Sequence, residues 1–415
     1  MSEPLARPAA PTEPKSMPWL GIGVNLLTSV AVSIAMGMLA VIVPVSLEER
    51  DFSKSAIGLL LSLETLASIA VCFALILVYR RFGMLGSLWF STLPRLGGLV
   101  LLAISDHAAL WALGIVLHGL GTYGFLLITQ TWINALPFRQ SMGLWMAIYS
   151  TIISVGFAVG PVVLNLLTAY ETSFIALTAD VLSRLGTPIE SLSLTVALLL
   201  VVLLIHLLAT LPLAFAPGQT PALEVRSQLQ VLSVIRDSKG PMCAIALAGV
   251  SYFGVSAFIV VYGMQNGLTQ SAAALMLTFF SLGSICLEVP LGYVSDRLDR
   301  RFVLVGCAFC CMICAAYLPI VIDDAHLAWL LVFLWGGVVG AIYSISLALI
   351  GERFTGERLL AANSAYSILE GLGGTLGVLS IGFAMDFLGS DGLPYIIMFA
   401  SILFFCFALT RYRVV

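Results

Sequence analysis

Three ionisable side chains fall where lipid would surround them. Glu64 lies about nine residues into an apolar run that begins near residue 55. Arg95 follows Pro94 about eleven residues into a run from 84, and Glu370 is about as deep in a run from 359. At 1.5 Å per residue each stands near mid-membrane. A charge there costs about 2.5–3.5 kcal/mol on insertion scales, so each needs a partner or a task. Glu64 and Arg95 sit on consecutive runs and are expected to pair, as a fixed ion pair or as one remade when protonation or solute charge changes. Glu370 has no obvious partner of opposite sign in its own half. A carboxyl alone in lipid can take up a proton at neutral pH, which makes Glu370 the leading candidate for proton coupling. His118 and His206 are either pH-responsive or neutral packing groups.

Other chemistries find little support. No Gly-x-x-x-x-Gly-Lys-Ser/Thr phosphate cradle occurs, nor His-Glu-x-x-His, nor Gly-x-Ser-x-Gly, so neither an enzyme nor a bound cofactor is expected. The eight cysteines all lie inside apolar runs, against a disulfide framework. Cys307, Cys310, Cys311 and Cys314 place sulfurs along one helical face. They suit packing first and a soft-metal path second, and no resident metal is expected. A net charge of −3 gives no general attraction to nucleic acid.

These groups need a scaffold that lives in lipid. Of 415 residues 60% are apolar and 10% charged, with a mean hydropathy of +1.06. A soluble chain of this length could not bury so much apolar surface in one core. Runs long enough to cross a bilayer appear at about 18–46, 55–79, 84–104, 108–135, 142–170 and 191–215, then at 241–265, 270–293, 302–321, 326–350, 359–385 and 392–410. The fold class is therefore an all-α membrane protein of twelve spans in two six-helix bundles. The expected units are a disordered tail (1–17), a first bundle (18–215), a linker (216–239) and a second bundle (240–415). The tail lacks a signal-peptide pattern, so the first span is expected to persist in the mature protein. Fifteen of the nineteen Lys and Arg fall on the side of the N-terminus, three on the other, and Arg95 inside a span. That bias predicts both termini in the cytoplasm of a multi-pass protein of the inner or plasma membrane.

The halves repeat. A shift of 216 pairs Ser55-Ala56 with Ser271-Ala272 and Arg81 with Arg297. A shift of 217 pairs Tyr149-Ser150 with Tyr366-Ser367, Gly156 with Gly373, Gly160 with Gly377 and Gly119 with Gly336. Related halves that rock about a site at their interface are how secondary transporters work.

After the eighth span comes Gly292-Tyr293-Val294-Ser295-Asp296-Arg297-Leu298-Asp299-Arg300-Arg301. Gly292 would permit close helix approach, Asp296 would face a helix N-terminus, and the arginines would meet carboxylates when a gate shuts. Glu288, one turn earlier, is assigned to the same charge network. Charge alone would suit an ordinary positive-inside loop, but the whole string resembles the loop signature of the major facilitator superfamily, Gly-x-x-x-Asp-Arg-x-Gly-Arg-Arg/Lys. The six-plus-six layout agrees over about 390 residues, and the segments near Gln130 and 359–377 look similar to YcaD-like bacterial members.

The resemblance implies a secondary transporter of a small solute, probing both sides of the membrane in turn, with protons as the expected coupling ion, lipid as its surroundings and a monomeric state. The cytoplasmic gate would comprise Gly292, Asp296, Arg297, Arg300, Arg301 and Glu288. Because the first and fourth spans line the superfamily's cavity, it nominates Asn25, Tyr123, Gln130 and Asn134 for solute contact, though such groups also glue helices together. This chain departs from the pattern in three places. Its first signature loop, Ile76 to Gly83, lacks the signature's opening Gly and its Asp; the fourth span lacks the Arg that many proton-coupled members carry, His118 being its only basic group; and Gly156-x-x-x-Gly160-Pro161 holds only the first part of an antiporter motif. That partial motif reads as helix packing or as a pointer to export. The degenerate first loop keeps a second class open, a receptor or assembly factor that moves nothing.

Overall fold

A computed structural model describes residues 19–134, 142–184, 193–216, 231–354 and 356–412. The tail, most of the linker (217–230) and Arg139 lie outside the described residues. Among those described every regular element is helical. The first half contains α1 (Trp19–Glu48), α2 (Lys54–Ile104), α3 (Ala108–Asn134), α4 (Met142–Ala169), α5 (Glu171–Arg184) and α6 (Leu194–Thr210). After the short α7 (Val231–Asp237) come α8 (Lys239–Gln265), α9 (Gln270–Arg297), α10 (Arg300–Val321), α11 (Ala325–Arg353), α12 (Gly356–Leu388) and α13 (Gly392–Tyr412). Eleven stretches are long and apolar enough to cross a membrane, and the last, Ala362–Leu409, covers most of both α12 and α13. Twelve crossings result.

Local chemistry sets the ends. Ser53, Ser193 and Thr269 accept from a backbone N–H of the helix they start, and so do Asp299 and Asp324. The second and third spans are not separated by a loop. They are two helices that meet within α2 at a kink at Gly83 (φ 67°, ψ −172°), a positive-φ geometry open to glycine because it has no Cβ. The amphipathic α5, with Phe174 buried, is also absent from the hydropathy reading because it does not cross the membrane.

The repeat extends to atomic contacts. In the first half α4 seats on α1: a Cβ on Gly160 would lie 2.5 Å from the Gly37 backbone, and one on Gly156 would lie 2.8 Å from Val30 O. In the second half α12 seats on α8 the same way, Gly373 against Ala246 and Gly377 against Val250. Tyr149 Oη donates to Leu126 O at 3.0 Å, and Tyr366 Oη to Tyr343 O at 2.6 Å. Both partners are shifted by 217.

The halves meet unevenly. Asp386, near the end of α12, accepts from the Lys54 and Ser55 backbone N–H groups (2.7 and 2.8 Å), capping the start of α2. Gln265 donates to Glu48, Asn165 to Ser271 O and Thr278 to Ala158 O, at 3.0–3.1 Å. Thr65 and Thr375 share a 2.8 Å hydrogen bond deeper down. These bonds run from mid-bundle to the end where α1 stops and α2 starts.

Candidate functional site

A cavity of about 240 Å³ lies on the seam between the halves. From the first half α1, α2, α3 and α4 contribute, among others, Ser33, Glu64, His118, Tyr123 and Phe157. From the second, α8 contributes Tyr252, Phe253 and Ser256, and α12 contributes Val378. The aromatic groups form a connected wall: the Tyr252 ring centroid is 5.5 Å from Phe253, 6.1 Å from Phe280 and 6.4 Å from Phe157. Ser256 Oγ is buried without a hydrogen-bond partner.

Glu64 faces this space with its side chain 29% exposed. Its expected partner is elsewhere. The nearest basic side chain is His118, its Nδ1 at 3.7 Å, and no Glu64–Arg95 ion pair occurs. Arg95 is fully buried, outside the cavity lining, with its guanidinium 4.5 Å from the Phe125 ring centre and Nη2 3.5 Å from Thr92 Oγ1. Its Nε and Nη1 have no partner. The cause is helical geometry. Glu64 packs at Gly119 of α3 and Arg95 at Gly121. Two positions apart on a helix is about 200° of rotation, so the two residues meet opposite faces of α3. His118 also approaches Thr122 Oγ1 (3.2 Å) and the ring of His206 (5.6 Å between centroids). Spacing alone did not reveal this chain from Glu64 through His118 to His206; the only signal was a histidine beside a packing glycine.

Glu370 is half-buried, outside the cavity lining, and its carboxylate has no hydrogen bond or ion pair among the described residues. It stands within electrostatic reach of Tyr123, Tyr252, Tyr343 and Tyr366, two of which line the cavity. Of the polar nominees only Tyr123 lines the space. Asn25 is buried, its Nδ2 donating to Thr129 O (3.0 Å). Gln130 is exposed away from it. The Asn134 side chain lies outside the described residues.

The charged string that ends α9 and starts α10 departs from expectation in three respects. A Cβ on Gly292 would meet nothing within 4 Å, so close approach is not its role here. Asp296 pairs with Arg300 one turn on (2.6 Å), not with a helix N-terminus, and Arg300 reaches Glu352 of α11 (3.2 Å). Glu288 accepts from Ser344 of α11 and stays apart from that chain. Arg297 lies over the Tyr293 ring at 4.3 Å, Arg301 is exposed, and Asp299 caps α10. All of these contacts stay within the second half. Gly156 and Gly160, the second directly before Pro161, are consumed by the α1 contact. The four sulfurs do not share one face: Cys307, Cys311 and Cys314 are buried and Cys310 is exposed, Trp335 Nε1 donates to Cys311 Sγ at 3.2 Å, and no group of three metal-type ligands gathers among the described residues.

A family model described as Major Facilitator Superfamily matches residues 26–337 and 241–414. The uncharacterized MFS-type transporter YfkF of Bacillus subtilis (strain 168) is 25% identical over 330 residues, 75% of this chain and 77% of its own. Among solved structures, a variant of the nucleoside transporter NupG superposes with a TM-score of 0.74 at 12% identity, over 94% of this chain and 99% of that one. A bacterial homolog of the human lysosomal transporter Spinster, inward-facing and unoccupied, gives 0.71 at 14% identity, over 96% of each chain.

Proposed function

The chain belongs to the major facilitator superfamily, a family of multi-pass membrane transporters and not of enzymes, and on that premise we propose that it carries a small solute by alternating access, driven by protons. The observation that carries this reading is the seam cavity. It is lined from both halves, it holds a carboxylate, and one end of the seam is latched by the Asp386 cap while the signature charges pair only within their own half. With the termini in the cytoplasm of a cell membrane, the latched end is the outer one and this arrangement faces inward. The bundles at 18–215 and 240–415 would rock about the linker at 216–239, as a monomer.

Glu370 and Glu64 take the proton-handling roles, Tyr123 contacts solute, and Asp296, Arg297, Arg300 and Arg301 close the cytoplasmic end in the opposite state. Asn25 and Arg95 lie in the first bundle outside the cavity lining. The Gly156–Pro161 segment serves packing, which carries no preference for export over uptake.

Purified protein in proteoliposomes, given a solute panel with and without a pH gradient, tests the reading. Glu370→Gln should abolish gradient-driven flux while leaving the folded yield unchanged. Gradient-driven flux equal to that of the unaltered protein would refute the coupling role. No flux of any solute would refute the carrier.

A further inference from the structure

We propose that the solute class taken by this cavity is a monovalent organic cation with an aromatic or otherwise apolar body, and that Glu64 is its counter-ion. The inference rests on the carrier reading and adds the sign and shape of the cargo.

Charge comes first. Among the described lining residues Glu64 is the one carboxylate, and Lys, Arg, Asp, Asn and Gln are absent. The fixed cation at this depth, Arg95, is sealed behind α3 on the Phe125 face, so an anion in the cavity cannot reach it. That placement removes the case for an anionic or zwitterionic cargo, which an intramembrane arginine would otherwise make. The Glu64 carboxylate is itself poorly matched: His118 stands at 3.7 Å, beyond hydrogen-bond length, and no hydrogen bond to Glu64 occurs among the described residues. A carboxylate in an apolar chamber without a close partner is costly, and a cation brought by the cargo relieves that cost.

Shape follows from the remaining wall. Phe157, Tyr252, Phe253 and Tyr123 all line the space, and aromatic rings attract both aromatic bodies and cationic heads. The unpartnered Ser256 Oγ offers oxygen lone pairs to a cationic head. A polyhydroxylated cargo would instead meet aliphatic groups such as Leu39, Val43 and Leu61 and leave its hydroxyls unmatched.

The test compares three probes on the purified full chain by calorimetry and thermal shift: benzyltrimethylammonium, phenylacetate and uridine. Benzyltrimethylammonium should bind, the other two should not, and Glu64→Gln should weaken the cation by about tenfold or more. Absent cation binding, tighter binding of phenylacetate or uridine, or unchanged affinity in Glu64→Gln would each overturn the proposal. The three-probe comparison on the unaltered protein decides the sign of charge even if that variant fails to fold. Flux of the same probes in proteoliposomes separates the two readings. Cation binding with no flux of any probe would leave Glu64 as counter-ion and remove the carrier. Uridine or phenylacetate flux without cation binding would keep the carrier and remove the cation.

Discussion

The two halves share a scaffold and differ in what they put on it. Gly119 of α3 packs on Glu64, and 217 residues later Gly336 of α11 packs on Phe280, which stands 216 after Glu64. His118 corresponds to Trp335 and Arg95 to Cys311, and those two counterparts bond to each other. Glu370 corresponds to Ile153, a cavity-lining residue. Each charge in lipid thus faces an uncharged residue in the other half. The scaffold repeats because helix packing needs the same small residues twice. The charges do not, because every extra one is expensive in lipid.

The largest effect should come from the glycines. A Cβ on Gly336 would lie 1.8 Å from Phe280 O, a backbone atom, whereas one on Gly119 would meet the movable Glu64 Cγ at 3.1 Å. Gly336→Ala should destabilise by about 3 kcal/mol and Gly119→Ala by well under half of that. Equal thermal shifts for the two would show that the halves are not packed as described.

Next is Arg95, whose counterpart is uncharged. A buried guanidinium with two unpartnered nitrogens costs more than its contact with Phe125 returns. Arg95→Met should therefore raise thermal stability, by about 1 kcal/mol. A marked loss would mean that Arg95 holds a partner in another state of the cycle.

Asp386→Asn weakens a cap that joins the halves, worth about 1 kcal/mol, and should enlarge the population open at the outer end roughly fivefold. Spin-label distances between the start of α2 and the end of α12 would report it, and an unchanged distribution would deny the latch. The smallest stability effect belongs to Asp296→Asn, which breaks an exposed i,i+4 pair and should cost less than about 0.5 kcal/mol. Turnover is the sharper readout for that variant: it should slow if the string closes the inner end, and normal cycling would remove the gate role.

Much of the scaffold was legible in the sequence. Hydropathy located the twelve crossings, and a near-constant shift exposed the repeat before any contact was known. Facing was not legible. Glu64 and Arg95 lie on consecutive spans, which says nothing about rotation about each axis, and rotation placed them on opposite faces of α3. Asn25 and Gln130 failed as cavity residues for the same reason: in a helix apolar on all sides, no stripe marks which face looks inward. The Asp386 cap joins positions 331 and 332 residues apart and has no local signature.

The seam itself can be locked. Cysteines placed at Ser55 and Asp386, joined by oxidation and compared with each single substitution, would hold the outer end shut. Flux of a transported solute should stop on oxidation and return on reduction. Full flux through protein cross-linked to completion would contradict alternating access at this seam.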